Sequence, residues 1–170
     1  IIIENPPLGE MDGILEVYRK MGGQYDILGG KLIVNGKNTG NPLKLLETEV
    51  YPGFPTDLQS QLMAVMASCD GSICHIRENV FENRFMITAQ LKKMGADIRV
   101  KENEAHIYGV PVLHGAELSA RELRGGAALI LAAMSAEGVS RITPDDYIKR
   151  GYENICKDLK ELGADISWET

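Results

Sequence analysis

Lys92-Lys93-Met94-Gly95-Ala96-Asp97-Ile98 returns later in the chain as Lys160-Glu161-Leu162-Gly163-Ala164-Asp165-Ile166, and a weaker copy runs Arg19-Lys20-Met21-Gly22-Gly23-Gln24-Tyr25. The copies stand 73 and then 68 residues apart. In each, an amphipathic run ends at glycine and an alternating apolar run follows. Glycine closes a helix because it takes up the left-handed conformation at no steric cost, and alternation is the period of a strand. The string therefore reads as helix, stop and strand, three times over.

Working outward, residues 56–68 and 121–135 are both helical by apolar spacing. Each is followed by an acidic-glycine pair, Asp70-Gly71 and Glu137-Gly138, and then by a β-rich run, Ser72–Ile76 and Val139–Thr143. The unit reads strand–helix–strand–helix–strand–strand. The first copy is incomplete: Ile1-Ile2-Ile3 reads as a strand, Met11–Met21 as a helix, and Gln24–Leu28 and Lys31–Val34 as strands. The helix expected before Ile1 is missing, so the chain reads as a fragment of something longer. Leu58–Ala67 and Ala127–Met134 are apolar nearly all round and are expected to be fully buried. The glycine-terminated helices carry Lys and Glu faces and are expected to be half exposed. The expectation is one α/β (α+β) domain over residues 1–170, with a partial unit over 1–44 and units over 45–110 and 111–170.

Composition narrows the function classes. The 170 residues are 44% hydrophobic and 25% charged, as in an ordinary soluble globular domain. Eighteen basic against 24 acidic residues give a net charge of −6, which argues against nucleic acid as the main partner, since a phosphate backbone demands a basic stripe. A small anionic ligand needs only a few well-placed cations. The longest wholly apolar run, Ala127–Met134, is far short of a membrane span. Three cysteines, Cys69, Cys74 and Cys156, make no disulfide framework, and a reduced cytoplasmic setting is the expectation.

Three features could carry chemistry. Arg84, Arg124 and Arg150 each fall near an expected helix N-terminus, where a cation faces the positive end of the dipole. One such arginine is ordinarily a solvated surface residue, but three in a repeated architecture suggest a shared anion-facing surface. Pro52-Gly53-Phe54-Pro55-Thr56-Asp57 stiffens a turn before a buried helix, with Thr56 as expected N-cap. Asp57 in that place ordinarily does no more than favour the helix dipole; the functional reading is a carboxylate on a stiff loop that binds or deprotonates a hydroxyl. Glu78-Asn79-Val80-Phe81-Glu82-Asn83-Arg84-Phe85 packs carboxylates, amides, aromatics and a guanidinium between a strand and a helix, which suits a ligand loop. His75, His106 and His114 lack metal-ligand spacing, and no phosphate-loop glycine pattern is present, so neither a metal site nor a nucleotide hydrolase is expected.

These motifs resemble those of the UDP-N-acetylglucosamine enolpyruvyl transferases. The matching stretches are Phe54-Pro55-Thr56-Asp57-Leu58-Gln59, Val80-Phe81-Glu82-Asn83-Arg84-Phe85-Met86, Leu123-Arg124 and Arg150-Gly151-Tyr152-Glu153, and the resemblance spans essentially the whole chain. It implies an inverse α/β lobe of repeated βαβαββ units, one of two lobes in the complete enzyme. It further implies transfer of the enolpyruvyl group of phosphoenolpyruvate to the 3-hydroxyl of UDP-N-acetylglucosamine with release of phosphate. That reaction is the first committed step of peptidoglycan synthesis, in the bacterial cytoplasm and without metal or organic cofactor. By the same resemblance Asp57 matches the carboxylate at the sugar 3-hydroxyl and its base. Val80 matches a UDP-sugar contact, and Arg84, Arg124 and Arg150 match arginines of the interlobe cleft.

The chain departs from the family pattern in places. Lys149 and Glu122 stand where aspartate is usual, and Gly125 replaces a common alanine. None of the three cysteines matches the family's mobile-loop cysteine, the usual general acid, which belongs to the other lobe. The chain alone is therefore expected not to turn over substrate. Two other readings compete: a non-catalytic nucleotide-sugar-binding module, and an enolpyruvyl transferase with another acceptor such as shikimate 3-phosphate.

Overall fold

The helix-stopping glycines organise the fold. In the computed structural model, which describes residues 1–37 and 39–169, Gly22, Gly95 and Gly163 all take positive φ, at 89°, 95° and 97°. They end helices α1 (Asp12–Lys20), α3 (Thr88–Lys93) and α6 (Ile155–Glu161). The same pair of hydrogen bonds closes each. Gly23, Ala96 and Ala164 donate back to the carbonyls of Tyr18, Leu91 and Leu159, and the three glycines donate to Arg19, Lys92 and Lys160. The repeated string is thus one helix-termination motif used three times. Asn38 and Thr170, within the expected domain span, lie outside the described residues.

The middle unit has all six expected elements. Strand β4 (Leu45–Glu47) leads through α2 (Gln59–Ala67) to the parallel strand β5 (Ile73–Arg77). Helix α3 then feeds the hairpin β6 (Asp97–Lys101) and β7 (Glu104–Tyr108), giving sheet order β4-β5-β7-β6. Alternation places Cys74, Ile76, Ile98, Ala105 and Ile107 inward, fully buried, and leaves His75 paired with His106 on the outer face. In the first unit β1 (Ile2–Glu4), β2 (Gln24–Leu28) and β3 (Lys31–Asn35) form an antiparallel sheet of order β1-β3-β2. In the third, β8 (Glu117–Ser119) runs through α4 (Leu123–Ser135) to the parallel β9 (Arg141–Thr143).

Helices α2 and α4 pack on each other at the centre, as their apolar surfaces require. Met63, Ala64, Met66 and Ala67 of α2 and Ala128, Leu129 and Ala132 of α4 are buried in one core with the inward strand residues. Helix α2 lies against β5 and β7 and α4 against β9, so sheets lie outside and helices inside.

Two expectations are corrected. The alternating run after Gly163 forms no paired strand: a strand exists by its ladder, and none of the described residues runs beside 164–169. Ile166 and Trp168 instead pack on a satellite cluster around Ala120, Ile130 and Ile148. Only the middle unit is therefore complete. Before α6 there is also a short helix not anticipated, α5 (Asp146–Gly151). Asn154, whose side chain accepts from the Lys157 N–H, starts α6 and separates it from α5. Arg150 consequently lies in the last turn of α5, where a cation suits the dipole, and not at a helix N-terminus.

Candidate active site

Asp57 sits in a single 3-10 turn, Thr56–Leu58, that leads into α2. The preceding loop is held by the Glu49 N–H donating to the Phe54 carbonyl and by a bridge between Thr48 and Phe54, with the Phe54 ring buried. Arg124 is the second residue of α4. Because α2 and α4 pack together with their N-terminal ends adjacent, Arg124 Nε donates to Asp57 Oδ1 at 2.5 Å. Arg84 Nη2 approaches the same oxygen at 3.9 Å. Two guanidinium groups therefore converge on one carboxylate.

Their exposures differ in a way that matters. The Asp57 side chain is 64% exposed, whereas Arg84 is only 13% exposed and lies 4.6 Å over the Phe81 ring. The cation is fixed by its surroundings and the carboxylate is accessible from solvent. Glu122 Oε2 stands 3.9 Å from Arg124 Nη1 and balances its second face. Arg84 lines an open hollow of about 250 Å³ with Phe81 and Asn103, and Glu122 lines another of about 390 Å³ with Gln90 and Gly125; Asp57 lines neither.

The loop carrying Val80 and Arg84 is anchored by Glu78, a role that composition alone did not reveal. Glu78 is 3% exposed and has no cationic partner among the described residues. Its Oε1 accepts from the Thr48 hydroxyl at 2.8 Å and from the N–H groups of Val80 and Phe81 at 2.9 and 3.0 Å. Its Oε2 accepts from the Thr56 hydroxyl at 2.8 Å. The Glu78 backbone in turn exchanges hydrogen bonds with Asn103 in the β6–β7 turn. Asn83, at φ 57°, turns the chain so that Arg84 points back toward Asp57, a conformation asparagine tolerates better than most side chains. The sequence signal for Glu78 was its register: it continues the inward alternation of Cys74 and Ile76, and a carboxylate there requires donors.

Thr56 therefore does not act as the expected N-cap. No side chain caps α2, and the threonine hydroxyl is turned to the buried carboxylate, the stronger acceptor. Val80 is half-buried, with its backbone on Glu78. Arg150 is not brought into the cluster. It is exposed and has no ion pair among the described residues, although neighbouring Gly151 lies against Leu123 at the start of α4. The thiols offer no nucleophile: burial raises Cys69 and Cys156 and pushes Cys74 up to about 12. Among the described residues no group of three His, Cys, Asp or Glu side chains could hold a metal ion, and no helix is long and apolar enough to cross a membrane.

Chemically, an exposed carboxylate beside two guanidinium groups, one of them held by its surroundings, can take a proton from an alcohol while the cations hold an oxyanion. Known proteins resemble the chain in sequence and in fold. The UDP-N-acetylglucosamine 1-carboxyvinyltransferase of Finegoldia magna is 48% identical over 136 residues, which is 80% of this chain and 31% of that protein. Its namesake in Campylobacter lari is 40% identical over 98% of this chain and 39% of its own length. The chain thus spans well under half of these relatives. Among solved structures, the enolpyruvyl transferase NikO from Streptomyces tendae superposes with TM-score 0.82 at 27% identity, over 98% of this chain and 39% of that one. EPSP synthase from Acinetobacter baumannii shares the fold, with TM-score 0.68 at 16% identity over 92% of this chain and 37% of that one. With residues 1–159 matching the family's model, the chain belongs to the family described as EPSP synthase (3-phosphoshikimate 1-carboxyvinyltransferase).

Proposed function

We propose that residues 1–170 form most of one lobe of a two-lobed enzyme that moves the enolpyruvyl group of phosphoenolpyruvate to the 3-hydroxyl of UDP-N-acetylglucosamine. The acceptor follows the name carried by the relatives at 40–48% identity. In this reading the reaction belongs to cytoplasmic peptidoglycan synthesis. As the sugar oxygen bonds to the central carbon of phosphoenolpyruvate, its proton passes to Asp57, and the methylene carbon takes up a proton from an acid in the other lobe. Loss of phosphate and of one methyl proton then restores the double bond. Arg84 and Arg124, with Arg150 at the neighbouring edge, balance the phosphate and carboxylate charge, and Val80 contacts the UDP-sugar.

The observation that carries this reading is the convergence of Arg84 and Arg124 on Asp57. An arriving anion competes with Asp57 for Arg124, so binding would free the carboxylate as it fills the cation. The test is phosphate release by the complete protein and by its Asp57→Asn variant. Turnover with UDP-N-acetylglucosamine, absent with shikimate 3-phosphate and abolished by Asp57→Asn, is the expected result. Turnover with shikimate 3-phosphate alone, or an active Asp57→Asn protein, would overturn it.

A further inference from the structure

We infer that Glu78 is a positioning residue for the reaction, acting through Thr56 on Asp57 and through two backbone amides on the loop that bears Val80 and Arg84. The inference rests on the proposed role of Asp57 and extends it.

The carboxylate touches both halves of the site. Oε2 receives the hydroxyl of Thr56, whose backbone leads directly into Asp57. Oε1 receives the amides of Val80 and Phe81, and the Phe81 ring underlies the Arg84 guanidinium. The Thr48 hydroxyl, also on Oε1, accepts from the Asn79 N–H, so both ends of the loop's first turn are tied to the same knot. A buried ion without a countercharge is costly, and only its hydrogen bonds hold it in the folded state. Four donors meet this one, and together they set the distance between the Asp57 turn and the Arg84 loop.

An apolar residue in line with Cys74 and Ile76 would fill the same inward position but could join no two segments. What a carboxylate adds is a two-ended connection, with different segments on its two oxygens. The 3.9 Å approach of Arg84 to Asp57 is held by no direct hydrogen bond, so its geometry depends on this connection. A shift of about 1 Å between a proton acceptor and the cation beside it is enough to lower turnover about a hundredfold.

The Thr56 hydroxyl isolates the connection without dismantling the loop. In the complete protein, Thr56→Val keeps the side-chain shape and removes the donor; Thr56→Ser keeps the donor. We expect Thr56→Val to lower kcat by about ten- to a hundredfold under conditions where the protein stays folded, with KM for both substrates nearly unchanged and the unfolding midpoint lowered by the lost hydrogen bond, and Thr56→Ser to restore both. Asp57→Asn is measured beside them. A wild-type kcat in Thr56→Val with an inactive Asp57→Asn overturns the role of Glu78 and leaves that of Asp57 standing. A kcat loss that serine does not rescue also overturns it. An active Asp57→Asn protein removes the reading of Asp57 and this inference with it.

Discussion

Replacing Glu78 by alanine should be among the most destabilising single changes in this chain, and replacing it by glutamine should be mild. Alanine leaves the hydroxyls of Thr48 and Thr56 and the amides of Val80 and Phe81 without their acceptor. Each buried donor left unsatisfied costs about 1–3 kcal/mol. Thr48 is fully buried and bears the full cost, whereas Val80 and Phe81 can reach water. The expected loss for Glu78→Ala is therefore about 3–5 kcal/mol, a large share of the ~5–15 kcal/mol that stabilises a typical domain.

Glutamine keeps most of this. Its oxygen can stand where Oε1 accepts three donors, and its amide nitrogen then faces the Thr56 hydroxyl, which needs only to rotate and accept. The loss should be about 1 kcal/mol, reflecting weaker hydrogen bonds to a neutral acceptor. Urea unfolding of the chain followed by far-ultraviolet circular dichroism measures both variants on one scale. A Glu78→Ala protein within about 1 kcal/mol of the parent would refute the reasoning. So would a glutamine variant as unstable as the alanine one, since the burial of the site would then matter and its donors would not.

Two further outcomes follow from backbone and burial. Gly95→Ala places a Cβ at φ 95° in the helix-ending turn, so urea unfolding should show a loss of about 1–2 kcal/mol; an unchanged midpoint would mean that the turn does not require glycine. Cys74 supplies a pH signature: its folded value is raised to about 12, so its contribution is fully present below the unfolded thiol's ordinary value and is lost as pH rises toward the folded one. Between about pH 8.5 and 10, stability should fall by up to about 2 kcal/mol from this thiol, and Cys74→Ala should remove that slope while paying a cavity cost independent of pH. Parallel slopes in the two proteins would refute it.

Most of the fold was legible because it depends on local rules. Gly22, Gly95 and Gly163 announce their turns by residue type, and the inward alternation of Cys74 and Ile76 announces a half-buried strand. The features that escaped depend on partners distant in the chain. The segment after Gly163 has a strand's pattern but no neighbour to pair with. Thr56 has the composition of a cap, yet Glu78, 22 residues away, is the better acceptor for its hydroxyl. Arg150 was expected at a helix N-terminus, but the short helix α5, set off from α6 by the Asn154 cap, takes it into its last turn. Asp57, Arg84 and Arg124 were singled out separately from local sequence; their convergence is a property of the packing of α2 on α4.

The repeat explains why that packing makes a site. Asp57 lies 38 residues before Gly95, and Arg124 lies 39 residues before Gly163, so carboxylate and guanidinium occupy nearly the same address in successive units. Both addresses are the entrance to a central helix, and α2 and α4 pack with those entrances side by side. Arg84 and Arg150 stand 11 and 13 residues before the same two glycines, again near-equivalent, each ahead of the helix that the glycine ends. Only Arg84 reaches Asp57, because the Glu78 connection draws its loop inward, while α5 takes up Arg150 in the third unit. Repetition therefore brings equivalent backbone positions together around the central helices. Divergence at those positions then sets a base opposite its cations, which identical side chains could not do, since two carboxylates or two unscreened guanidinium groups at 2.5 Å would repel.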